Sequence, residues 1–155
     1  MPNLAAAIGK SPLGVFAPHD DAQQRAEMAS LLAPLGAVIW IDEEVHMDAV
    51  TALAGSGPAF VYRFIDALSQ GGEAAGLPRD VAAQLALAMT EGAAILAATA
   101  PETPTDLARR VTSPGGTTAA GLAVLDSGSA LNILMTDTLR AARDRGTELA
   151  KGDVT

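Results

Sequence analysis

The rhythm of apolar and polar positions changes near residue 44. Before it, residues 13–17 form a short apolar run after a Ser-Pro turn, and residues 37–41 (Ala-Val-Ile-Trp-Ile) form an unbroken one. Between them Ala26, Ala29, Leu32 and Ala33 recur near one face, which predicts a helix over 22–35 capped by Asp20 or Asp21 and ended by Gly36. Continuous rather than alternating hydrophobicity suggests a strand covered on both faces, as in a parallel sheet. Two strands do not make a stable sheet alone, so residues 1–44 read as the β-α-β tail of a larger α/β domain.

From residue 44 the period is helical throughout. The pattern predicts helices over 45–54, 58–70, 79–100, 105–111, 117–125 and 130–151, with residues 45–155 forming an all-helical domain. Gly55-Ser56-Gly57 is expected to break the first helix, and Pro58 suits the first turn of the next. Gly76-Leu77-Pro78, Pro101, Pro104, Ser113-Pro114-Gly115-Gly116 and Asp126-Ser127-Gly128 punctuate the rest.

Composition sharpens this picture. Of 155 residues 49% are apolar but only 3% aromatic, so the core must be built from Ala, Leu, Val and Ile, which favours close-packed helices. The fold class is therefore mainly α. A net charge of −8 with Lys10 and Lys151 as the sole lysines leaves no basic stripe, which argues against nucleic acid as a partner. Cysteine is absent, and His19 and His46 make no metal-ligand spacing, so no metal is expected. Residues 81–100 approach the length of a membrane span but carry Gln84 and Glu91 and are dominated by alanine. A buried helix or an oligomer seam is the better reading, so no membrane partner is expected. With no basic segment at the start to suggest secretion, the expected location is cytoplasmic.

Three stretches carry candidate chemistry. Gly55-Ser56-Gly57-Pro58-Ala59-Phe60 begins like a dinucleotide fingerprint but has Phe60 where a small residue is needed, and no strand precedes it; a turn between helices fits better. Thr112-Ser113-Pro114-Gly115-Gly116-Thr117-Thr118 places hydroxyls beside the free first amides of a helix, a neutral pocket suited to a carboxylate or phosphate. On chemistry alone an ordinary helix cap remains the simpler account of it. Asp42-Glu43-Glu44, with Asp48 a turn later, pairs carboxylates that can do acid–base work or hold Mg²⁺, yet negative charge at a helix start explains them more simply. His46 reads as a partly exposed helix residue.

Taken together, the motifs are more specific. Asp48-Ala-Val-Thr51-Ala-Leu-Ala-Gly55-Ser-Gly-Pro-Ala-Phe60, Gly76-Leu77-Pro78 and Val111-Thr-Ser-Pro-Gly-Gly-Thr-Thr118-Ala-Ala-Gly-Leu122 stand in this order, behind Met1-Pro2-Asn3. In these motifs and their order the chain resembles the pyrroline-5-carboxylate reductases over essentially its whole length. It departs from them at Leu4-Ala5-Ala6 and at Ala54, where serine is common.

The resemblance implies reduction of 1-pyrroline-5-carboxylate to L-proline, the last step of proline synthesis, with NADPH or NADH as cofactor. It implies a homodimer, or a higher oligomer, whose helical domains interleave around the imino-acid substrate. It also implies that residues 1–44 are the remnant of a Rossmann-type dinucleotide-binding domain, and that the chain alone is inactive because most of that domain is missing. By resemblance, Thr51 is the catalytic residue facing the imine, Ser113, Gly116, Thr117 and Thr118 bind the substrate carboxylate, and Asn3 orients the cofactor or substrate. Two other readings are a non-catalytic helical dimerisation module and the helical domain of a β-hydroxyacid dehydrogenase. Enzymes of the second kind use a catalytic lysine, and none lies between Lys10 and Lys151.

Overall fold

The computed structural model describes residues 1–18 and 21–152. It is mainly helical, with one two-stranded parallel sheet near the start. His19 and Asp20 lie outside the described residues. Asp21 caps the first helix, accepting from the Gln24 amide while the Gln24 side chain returns a bond to the Asp21 amide.

Strand β1 (Ser11–Val15) pairs in parallel with β2 (Gly36–Trp40), Ser11 opposite Gly36 and Val15 opposite Trp40. Helix α1 (Ala22–Leu32) makes the crossover. β1 starts two residues earlier than the apolar run suggests, because Ser11 is fully buried and accepts a bond from the Asn3 amide. α1 also stops earlier than expected. Pro34 has no amide to continue it, so Ala33–Leu35 tighten into a 3-10 turn. A further 3-10 turn at Leu4–Ile8 has no counterpart in the sequence pattern.

The helical region opens with a 3-10 turn at Glu44–His46 and helix α2 (Met47–Val50). The expected break at 55–57 does not occur. The chain instead widens into a π turn at Thr51–Gly55, closed by Ser56 N–H donating to Thr51 C=O at 3.0 Å, and α3 (Gly57–Ala74) follows directly. Ser56 keeps right-handed helical backbone angles, so the glycines here admit a wide turn rather than ending the helix.

α3 ends in a Schellman arrangement. Leu77 N–H reaches the Gly72 carbonyl, Gly76 N–H reaches that of Glu73, and Gly76 takes a φ of +106°. Pro78 then forbids continuation, and α4 (Arg79–Thr99) begins. A Cβ at Gly72 would stand 3.2 Å from that of Ala82, so small residues let these helices approach closely. α5 (Pro104–Arg110), α6 (Thr117–Leu125) and α7 (Ala130–Ala150) complete the order.

The chain groups into two compact units, Met1–Phe60 with Met135–Thr155, and Val61–Leu134. In the first, Leu13 and Ala52 are buried, and a Cβ at Gly14 would lie 2.4 Å from a Val50 methyl, so β1 lies hard against α2. In the second, Ala82 and Ala86 are buried while Leu85, Leu87, Met89 and Ile95 of α4 remain exposed. α4 is long and apolar enough to cross a membrane by length and composition, but it is not a buried core helix of this chain.

Candidate functional site

Thr51 opens the π turn. Its hydroxyl donates to the Met47 carbonyl at 2.9 Å, the usual bond of a threonine inside a helix, and its own carbonyl accepts the bond that closes the turn. With its proton committed to Met47, Oγ1 offers lone pairs to any group that reaches it. One turn earlier Asp48 accepts a 2.6 Å bond from the Thr147 hydroxyl of α7, tying together segments 99 residues apart. The carboxylate read as a helix-start charge therefore has a structural partner. Asp42, Glu43, Glu44 and His46 are exposed.

Asn3 belongs to the same unit, and both ends of its side-chain amide are bonded. Oδ1 accepts from the Ala5 amide at 2.9 Å, capping the 3-10 turn, and Nδ2 donates to the Ala54 carbonyl at 2.7 Å. Sequence reasoning joined Asn3 to Thr51 only by resemblance. The available signal was Pro58, which leaves the Ala54 carbonyl without its i+4 donor.

Ser113, Gly116, Thr117 and Thr118 lie in the second unit. Ser113-Pro114-Gly115-Gly116 has the features of a type II turn: proline second, glycine third with φ +70°, closed by Gly116 N–H donating to Ser113 C=O at 3.0 Å. Gly116 is the N-cap of α6 and supplies no side-chain bond. Among the described residues, the hydroxyls of Ser113, Thr117 and Thr118 have no hydrogen-bond partner, and neither do the amides of Thr117, Thr118 and Ala119. A Cβ at Gly116 would meet Ser113 Oγ at 2.4 Å, so glycine here leaves room for that hydroxyl beside the helix mouth.

The result is a set of donors facing solvent at the positive end of a nine-residue helix, with none of the hydroxyls spent on capping. An ordinary cap would show a side-chain oxygen on an N2 or N3 amide. A wide recess bordered by Thr112, Leu122 and Asn132 adjoins this loop.

Residues 44–149 match the family model for pyrroline-5-carboxylate reductase dimerisation. The chain is 38% identical over 152 residues to the pyrroline-5-carboxylate reductase of Pseudomonas aeruginosa, covering 97% of this chain and 55% of that protein. It is similar to a solved Coxiella burnetii pyrroline-5-carboxylate reductase at a TM-score of 0.90 and 35% identity, covering 96% of this chain and 55% of that one. A Plasmodium falciparum pyrroline carboxylate reductase solved with NADP bound aligns at a TM-score of 0.78 and 27% identity, covering 94% and 59%. The chain thus spans about half the length of the proteins it matches.

Proposed function

The chain belongs to the pyrroline-5-carboxylate reductase family, and on that footing we propose that it supplies the substrate-binding and dimer-forming part of an enzyme that reduces 1-pyrroline-5-carboxylate to L-proline. The observation that carries this reading is the row of unspent donors at Ser113, Thr117, Thr118 and the first α6 amides. A carboxylate is the substrate group that such a neutral, positively polarised helix start accepts.

NADPH or NADH supplies the hydride of this reaction, and NADP is the molecule bound in the Plasmodium relative. The segment between β1 and α1 contains no glycine, so its sequence lacks the glycine-rich fingerprint of a dinucleotide loop.

What this chain contributes is orientation. The α6 start fixes the carboxylate, and Thr51 is assigned to the ring nitrogen. Because Thr51 Oγ1 already donates to Met47, it presents a lone pair outward, which suits the N–H of a protonated imine. A protonated imine is also the stronger hydride acceptor. Thr51 then acts as an acceptor that orients the ring, and it need not give up a proton itself.

The test is Thr118→Val, which keeps the shape and removes one donor. A hydrogen bond to a charged group contributes about 1.5–3 kcal/mol, so the affinity of L-proline, the product, for the assembled chain should fall about ten-fold or more. Pyrrolidine, which has no carboxylate, should be insensitive to the change. Proline affinity unchanged in a folded Thr118→Val chain would show that these residues bind no carboxylate.

A further inference from the structure

An α-helical carbonyl expects a donor four residues on, and one in a π turn expects it five on. For Ala54 neither is available. Position 58 is proline, which has no N–H, and the Ala59 N–H is used by the Ser56 carbonyl at 3.0 Å. The missing bond is made instead by Asn3 Nδ2 at 2.7 Å, from 51 residues earlier in the chain.

Asn3 is itself held firmly. Its backbone N–H donates to Oγ of the fully buried Ser11, and its Oδ1 accepts from Ala5. Only one orientation of the side-chain amide satisfies both a donor at Ala5 and an acceptor at Ala54, so the amide cannot turn over without losing two bonds. Ala54 lies inside the π turn that Thr51 begins, three residues after it.

We propose that Asn3 is a positioning residue: its side-chain amide replaces the donor that Pro58 lacks, and so locks the π turn that aims Thr51 at the substrate ring. The second half of this statement rests on the reading of Thr51 given above; the first half stands on the hydrogen bonds alone. The proline and the asparagine form a matched pair. Proline removes the donor that would pair the Ala54 carbonyl in an ordinary α-helix, and asparagine satisfies the freed carbonyl from outside.

The experiment uses the whole chain with Asn3→Asp, Pro58→Ala and the double variant. Aspartate keeps the oxygen that caps Ala5 but sets a second oxygen, rather than an N–H, against the Ala54 carbonyl. Pro58→Ala restores a backbone donor four residues after Ala54. Amide hydrogen exchange by NMR is read at Ser56, whose N–H closes the π turn, with Ala5 as the internal control.

Asn3→Asp should speed Ser56 exchange about ten-fold or more while Ala5 changes less than about two-fold. In the Pro58→Ala background the same substitution should change Ser56 by only about three-fold or less. If Asn3→Asp alone does not fold, the double variant must fold. A Ser56 amide that ignores Asn3→Asp, an effect of equal size with and without Pro58, a uniform rise that includes Ala5, or a double variant that also fails to fold would each overturn the tie.

Ligand binding tests the other half. L-Proline should bind the Asn3→Asp chain several-fold more weakly, whereas cyclopentanecarboxylate, which has no ring nitrogen for Thr51, should bind as before. Equal loss for both ligands overturns the positioning role. If neither ligand binds the unaltered chain, the substrate reading of Thr51 falls, and the exchange result still judges the tie between Asn3 and the π turn.

Discussion

Threonine meets several different fates in this chain, and position within a helix decides which. Inside helices it returns its proton to the carbonyl four residues back, as Thr90 does to Ala86 and Thr99 to Ile95. At the N-cap of α5, Thr103 serves its own helix, accepting from the Asp106 amide and donating to the Asp106 carboxylate at 2.6 Å. Thr117 and Thr118 stand in the first turn of α6, where no helical carbonyl lies four residues behind, and their hydroxyls have no partner among the described residues. The Thr103 hydroxyl, followed by the Arg109 guanidinium, holds the Asp106 carboxyl below its ordinary 3.8. A carboxyl lowered by folding stabilises the folded state above its unfolded pKa and loses that contribution as pH falls through the folded value. Thr103→Val should therefore move the Asp106 midpoint upward, toward the ordinary value, in a carboxyl NMR titration. Asp106→Asn should remove the pH dependence of the α5 amide shifts at the acid end. An Asp106 midpoint unmoved by Thr103→Val would contradict this account.

At the scale of elements, the parallel pair β1–β2 depends on one glycine. Gly36 has a φ of +144°, and a Cβ there would lie 2.1 Å from the Ser11 carbonyl oxygen and 2.5 Å from its nitrogen. Those atoms are backbone, so no rotamer change relieves the overlap. Gly36→Ala should cost about 3 kcal/mol or more in chemical denaturation, and a loss below about 1 kcal/mol would show that the strands can part without penalty. The sequence marked Gly36 only as a helix stop; that it also admits Ser11 depends on strand pairing, a non-local fact. The same division runs through the fold. Gly76-Leu77-Pro78, Asp21-x-x-Gln24 and Pro104 act through neighbours three to six residues away, and the elements they bound were legible. The 55–57 segment was misread as a break because Gly-Ser-Gly permits either an end or a widened turn, and the choice involves Asn3 some fifty residues earlier. Of the candidate site, the donors at 113–118 were visible as a motif. That they are unspent depends on Gly116 rather than a hydroxyl residue occupying the N-cap.

At the scale of the whole molecule, the unresolved demand is apolar surface. On α4, Leu85, Leu87, Met89, Ile95 and Leu96 are all exposed, and on α7 Ile133 and Leu134 are exposed as well. Scattered exposed apolar side chains are normal, but a 21-residue helix with only Ala82 and Ala86 buried needs a cover. The matching family model is named for dimerisation and spans both helices, so the cover we expect is a second copy. Burying roughly 1,000 Å² of apolar surface per subunit would contribute on the order of 25 kcal/mol before the costs of association. The chain should therefore run as a dimer or higher oligomer in light scattering at micromolar concentration. Its thermal midpoint should rise with protein concentration, because assembly stabilises the folded chain by mass action. Charge gives the prediction a second handle. Each chain carries −8, so bringing copies together accumulates like charge, and moderate salt should strengthen the assembly by screening it. Leu87→Arg places a cation on the helix face that needs covering and should shift the population toward monomer, with the midpoint losing its concentration dependence. A monodisperse monomer of the unaltered chain at micromolar concentration, in low and moderate salt alike, would show that α4 is covered by something other than a second copy.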